Sequence, residues 1–269
     1  FINIPSNCEC GISSGRQGRI VGGHEALLGE FPWLGHLFYV SENPTYLRAI
    51  CGSSLISDAY ALTAAHCVNK FGGLMAEFGS LYNNINSASQ YIYKIRTVKM
   101  HPSYTEQDSY RNDIALIGFE VKVTFSYYVR PICLPVNVNI APIETVKVQG
   151  WGINEQNQFP ERLMVVVTSI ISNSYCGYLY GIARKTRVLD PYESYFCTLN
   201  VGRGIRPGDS GSPAIVIDTV KFRSYLIGIC SEYAVYDISG ELNNLGIYAL
   251  ASYHLAWISQ NHDSPICYV

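Results

Sequence analysis

The chain has 269 residues, 48% of them hydrophobic and only 15% charged, with a net charge of −2. Soluble domains average about 25% charged residues, so there is ample apolar material for one large domain or two modest ones. No Lys/Arg run offers an electrostatic footprint for nucleic acid, and no apolar run is long enough to cross a bilayer, so neither partner is expected.

Nine cysteines are scattered along the chain, a usage that points to disulfides and an oxidising compartment. Cys8 lies near Cys10, and His66 precedes Cys67. No paired Cys-x2-Cys sets accompany them, so a zinc site is not expected, and no cofactor is implied. Residues 1–19 are polar and Gly/Ser-rich without periodicity, and end at Gly18-Arg19; they read as a tether. Phe1-Ile2-Asn3-Ile4-Pro5 has neither a charged leader nor a long apolar core, which reads as a secretion signal already removed. Ile20-Val21-Gly22-Gly23 follows Arg19. A loop arginine before an apolar run suits a trypsin-like processing enzyme, and equally suits a plain solvated charge.

From Phe31 the pattern becomes short strands with turn punctuation. Leu34–Val40, Cys51–Ile56, Tyr91–Met100 and Ile114–Phe119 form a first series. Val146–Trp151, Leu163–Ile171, Pro213–Ile217, Tyr225–Cys230 and Gly246–Leu250 form a second, after a connector around Phe125–Pro142. Only the end looks helical, with Leu250, Tyr253, Trp257 and Ile258 at spacings of three and four. The sum is an all-β protein of barrels or sandwiches.

Three stretches carry chemistry. Pro207-Gly208-Asp209-Ser210-Gly211-Ser212-Pro213 sets a serine in a glycine-flanked bend. A serine hydroxyl needs a base and backbone N–H groups aimed at the oxyanion it creates, and glycines leave the chain free to present them. Thr63-Ala64-Ala65-His66-Cys67 sets a histidine among small residues, and Asp113-Ile114-Ala115-Leu116 puts a carboxylate at the head of an apolar strand. Singly these read as a turn, a structural histidine and a strand-start cap.

Together with Ile20-Val21-Gly22-Gly23, Phe31-Pro32-Trp33 and Gly150-Trp151-Gly152, they make the chain resemble the chymotrypsin-like serine endopeptidases from Ile20 to about Gln260. The resemblance implies two six-stranded antiparallel β-barrels with a C-terminal helix: barrel 1 at about 20–131, barrel 2 at about 132–250, and the helix at about 251–262. It implies Ser210 as nucleophile, His66 as general base and then acid, Asp113 orienting the histidine, and the N–H groups of Gly208 and Ser210 as oxyanion hole. It further implies a secreted, extracellular zymogen. A cut at Arg19–Ile20 by an upstream trypsin-like protease would free an amine to pair with Asp209, which before the cut lacks a partner.

Disulfides Cys51–Cys67, Cys176–Cys197 and Cys10–Cys133 follow from the same resemblance, the last keeping residues 1–19 attached. Cys8 is the alternative partner for Cys133; with Cys10 in that place, Cys8 and Cys267 are free to pair with each other, a pairing the resemblance does not fix. Cys230 is expected as a buried free thiol. Protein or peptide substrates are the expected partners, with protein inhibitors as further ones.

The specificity pocket departs from the family. Gly204 stands where an aspartate selects Lys or Arg, Arg206 and Pro207 replace a cysteine and its neighbour, and the Glu232–Leu245 loop holds no partner cysteine. Ser231-Glu232-Tyr233 sets a bulky ring at the mouth. With Ile205 and Gly246 completing the pocket, three outcomes stay open. They are small or medium apolar side chains, acidic ones through Arg206, or a closed pocket in a non-catalytic homologue that acts as a binding module.

Overall fold

The computed structural model describes residues 9–14, 23–40, 47–69, 73–84, 91–108, 110–136, 143–154, 156–185, 192–238 and 241–269. Arg19, Ile20 and Cys8 therefore lie outside the described residues. A short β1 (His24–Glu25) precedes the first strand series: β2 (Leu34–Val40), β3 (Leu47–Leu55), β4 (Tyr60–Thr63), α1 (Ala65–Val68), β5 (Leu74–Phe78), β6 (Ile92–Met100) and β7 (Ala115–Phe119). Strands β2-β3-β4-β7-β6-β5 close into a barrel. Its interior takes alternate residues of each strand, and Phe78 and Phe119 meet edge to face inside it with centroids 5.7 Å apart.

The second series is β8 (Thr145–Gly150), β9 (Met164–Ile171), α2 (Asn173–Arg184), β10 (Tyr195–Val201), β11 (Pro213–Asp218), β12 (Arg223–Ile238), β13 (Glu241–Leu250) and α3 (Leu255–Gln260). Strands run β9-β10-β13-β12-β11-β8, β8 pairs back to β9, and β1 adds to β9 from outside. The protein is thus two six-stranded antiparallel barrels with a short terminal helix, the arrangement expected. The main apolar cluster joins residues of both, from Trp33 and Leu116 to Ile215 and Leu226.

Two expectations need correction. The terminal helix is not the only one, because α2 spans twelve residues. Ser172 caps it by accepting from Tyr175 N, and Lys185 closes it in a left-handed conformation, a common helix stop. Tyr175, Tyr178 and Tyr180 give this stretch a strand-like composition, while its buried side, Cys176 and Leu179, has helical spacing. The Glu232–Leu245 stretch is also no loop. β12 and β13 pair in register from Tyr233↔Gly246 to Ile238↔Glu241, so a hydrogen-bonded ladder braces the segment where a disulfide was missed.

Three disulfides follow the expected pairing. Cys10–Cys133 ties the N-terminal segment across 123 positions of sequence, where Gly11 N also donates to Pro131 O and Ser224 N to Gly11 O. Cys51–Cys67 joins β3 to α1, and Cys176–Cys197 joins α2 to β10. Cys267 is disulfide-bonded as well, and Cys230 is a buried free thiol. Among the described residues, no helix is long and apolar enough to cross a membrane.

Candidate active site

Barrel 1 delivers two of the three expected residues from neighbouring elements. β4 ends at Thr63, and its pairing Thr63↔Ala115 sets the start of α1 beside the start of β7, hence His66 beside Asp113. His66 N donates to Asp113 Oδ1 at 2.9 Å, and His66 Nδ1 lies 2.7 Å from Asp113 Oδ2. Barrel 2 reaches the same carboxylate, since Ser231 Oγ donates to Asp113 Oδ2 at 2.6 Å. Asp113 is fully buried, so its charge is held by these donors and not by water.

With the carboxylate on Nδ1, the ring's proton resides there and Nε2 keeps its lone pair for a substrate-side proton. Burial alone would lower the His66 pKa. The Asp113 charge, the hydrogen bond to it and the Glu232 carboxylate outweigh burial and raise it. Cys67 Sγ of the Cys51–Cys67 bridge lies 3.7 Å from His66 Nε2. Cys51, His66 and Cys67 lie close enough to imitate a metal cluster, but both sulfurs are spent in that bridge and offer no thiolate.

The serine turn is pinned to both barrels. Gly52 N donates to Ser210 O at 2.7 Å, Gly211 N to Cys230 O at 2.7 Å, and Cys230 N to Ser212 O at 2.8 Å. Gly208 and Gly211 take φ of 102° and 77°, a region that side chains resist. A Cβ on Gly211 would fall 2.3 Å from Thr63 Oγ1 and 2.4 Å from Gly52 O, so the turn presses against the strand end that leads into His66. Among the described residues, the N–H groups of Gly208 and Ser210 donate to no acceptor. Ser210 Oγ and His66 Nε2 are not hydrogen-bonded, a looseness common in unliganded sites.

Asp209 points away from the serine. Its Oδ1 accepts from Gly152 N at 2.8 Å and its Oδ2 from Arg206 N at 2.9 Å. Burial outweighs these bonds and pushes its pKa up to about 6. The carboxylate lies on the wall of a cavity of about 370 Å³ that Gly23 and Met164 also line.

The expected pocket residues come together, but the space among them is partly filled. Ile205 is buried with Cys230 and Tyr248, and Tyr233 packs against that cluster. Gly204 faces Asn244, whose Oδ1 would lie 2.3 Å from a Cβ there. Asn244 is buried and donates to Ile205 O at 3.1 Å, while its Oδ1 has no hydrogen-bond partner. The guanidinium of Arg206 turns back to Gly202 O. Glu232 accepts from Tyr180 Oη at 2.7 Å and from Arg184 Nη2 at 3.0 Å, and Arg184 also donates to Tyr233 O at 2.8 Å. Asn244 and Arg184 were not singled out in the sequence. Each gets its place from the β12–β13 register or from α2, and an asparagine and an arginine amid turn-like residues gave no separate signal.

The trypsin family profile matches residues 20–258. The chain is 32% identical to phenoloxidase-activating factor 3 of Holotrichia diomphalia, covering 96% of this chain and 76% of that protein. It is 34% identical to venom serine protease Bi-VSP of Bombus ignitus, over 83% of this chain and 63% of that one. Trypsin-1 of Astacus astacus is 31% identical, over 90% of this chain and 99% of its own length.

Proposed function

The chain belongs to the trypsin family of serine proteases, and on that footing we propose that it is a secreted serine endopeptidase made as a zymogen. Ser210 attacks the scissile carbonyl while His66 Nε2 takes its proton. Asp113 holds the tautomer and stabilises the imidazolium, and the N–H groups of Gly208 and Ser210 receive the oxyanion. The observation that carries this reading is the buried Asp113 carboxylate, bound at once by His66 of one barrel and Ser231 of the other. A buried acid so placed has little structural purpose beyond orienting that ring.

Activation follows a cut at Arg19–Ile20 by an upstream trypsin-like protease. Gly23 lines the cavity that holds Asp209. Three residue steps lead from Gly23 back to Ile20, a reach of about 10 Å when extended, which suits insertion of the new amine beside Asp209. The Cys10–Cys133 bridge would then keep the light segment attached as a second chain.

Substrate preference is non-tryptic. A Lys or Arg side chain entering at Gly204 would meet the neutral Asn244 instead of a carboxylate, an unpaired burial that costs several kcal/mol, roughly. The space left by Ile205, Tyr233 and Asn244 favours small or medium apolar side chains. The inward acidic reading is not favoured, since Arg206 turns to Gly202. Protein substrates, and inhibitors that imitate them, are the partners. A weaker reading, a non-catalytic binding homologue, draws on the Arg184 cap over Tyr233 O.

Fluorophosphonate labelling of the intact chain and of a trypsin-nicked sample tests the proposal. Labelling of Ser210 only after release of Ile20 is the expected result. A nicked chain that takes no label would favour the binding homologue.

A further inference from the structure

Asp113 stands in a tight bend whose conformation is unusual. Asn112, just before it, has φ of 54°, a left-handed value that asparagine tolerates better than most residues. Ile114 N donates to Asn112 O at 2.8 Å, so the chain reverses across Asp113 itself and projects its carboxylate toward His66. Three donors hold that carboxylate at its tip, but they do not explain what holds the bend.

The answer lies in the turn before α3. His254 is buried, far from the catalytic atoms in sequence, and its Nε2 sits 3.2 Å from Asn112 Oδ1. Its Nδ1 is 2.8 Å from Leu250 O, a pure acceptor, so that nitrogen carries a proton. Burial brings the His254 pKa down to about 4, leaving a neutral ring with a lone pair at Nε2. Nε2 can then only accept, so the contact is a hydrogen bond when the Asn112 amide presents its nitrogen there, with Asn112 Nδ2 donating to His254 Nε2. The His101 ring meets His254 edge-on at 5.2 Å and closes its other side.

We propose that His254 is a positioning residue: it clamps the Asn112 side chain, and through it fixes the bend that aims Asp113 at His66. The clamp joins the end of barrel 2 to the catalytic edge of barrel 1, so it also registers the two halves of the triad against each other. This rests on the roles assigned above to His66 and Asp113. A misplacement of about 1 Å at such a site costs up to roughly 100-fold in rate, whereas loss of one surface contact would not.

The test uses the nicked, full-length protein with three variants: H254F, N112G and the double. Glycine keeps φ of 54° accessible at position 112 while removing the tether, so N112G separates the clamp from the backbone conformation. The readouts are the His66 pKa by NMR titration and kcat against KM for a peptide. Each single variant should lower the His66 pKa, since Asp113 no longer raises it fully, and lower kcat about tenfold or more at unchanged KM. The double variant should be no worse than either single one. A normal His66 titration in folded H254F and N112G, or effects that add in the double, would overturn the clamp. If wild-type protein hydrolyses nothing, the proposed activity fails, yet the His66 titration still decides the clamp.

Discussion

At the scale of single residues, Asp113 shows how an environment assigns a role. Its carboxylate is fully buried and accepts from His66 N, His66 Nδ1 and Ser231 Oγ, so replacing one oxygen with an amide turns an acceptor into a donor facing a donor. Asp113→Asn should therefore leave the fold intact but flip the favoured His66 tautomer, with kcat down by about 10⁴-fold. The acid limb of the pH profile should move down with it, because the carboxylate is what lifts the His66 pKa against burial. A loss smaller than about tenfold would show that Asp113 does not set the tautomer. His66, Asp113 and Ser210 stood out as candidates in the sequence because each proposed task admits few residue types and each sits in a distinctive run, and the structure sets His66 against Asp113. Asn244 was not, because its burial against Gly204 depends on a strand register that no local pattern announces.

At the scale of elements, β12 is the informative case. It pairs with β11 only as far as Ile229, and from Glu232 onward its described partner is β13. The opposite edge is where an extended substrate would add as a strand. Tyr233 O, on that edge, already accepts from Arg184 at the end of α2, and Glu232 holds the guanidinium in place. Substrate pairing must displace or share this bond. Arg184→Ala should consequently lower KM for peptides long enough to face Tyr233, by roughly tenfold at most, while kcat and the rate of phosphonate labelling stay the same. An unchanged or raised KM would show that Arg184 supports the edge instead of competing for it. The strand series in both halves could be read from apolar runs and turn residues, so the barrels were predictable. α2 could not be read that way, since its tyrosines resemble strand composition. The Ser172 cap was the signal that pointed the other way.

At the scale of the whole molecule, the proposed cut at Arg19–Ile20 should reverse the sign of one contribution to stability. In the described structure Asp209 is bonded only by two backbone N–H groups, and burial sets its pKa at about 6 against an ordinary 3.8. Between those values the folded state binds more protons than the unfolded chain, so stability falls as pH rises through the window, and is constant above it with respect to this group. The shift of about two units corresponds to about 3 kcal/mol at most. Once an ammonium lies beside the carboxylate, its pKa drops below the unfolded value. Stability from this group is then present above about pH 4 and lost on acidification. Other groups titrate in the same range, so the measurement is a difference: denaturant midpoints of wild type against Asp209→Asn, from pH 4 to 7, before and after nicking. The uncut pair should favour the variant increasingly as pH rises to about 6, and the nicked pair should favour wild type. If nicking leaves the sign of that difference unchanged, the new amine does not reach Asp209, and activation in this chain works by some other contact.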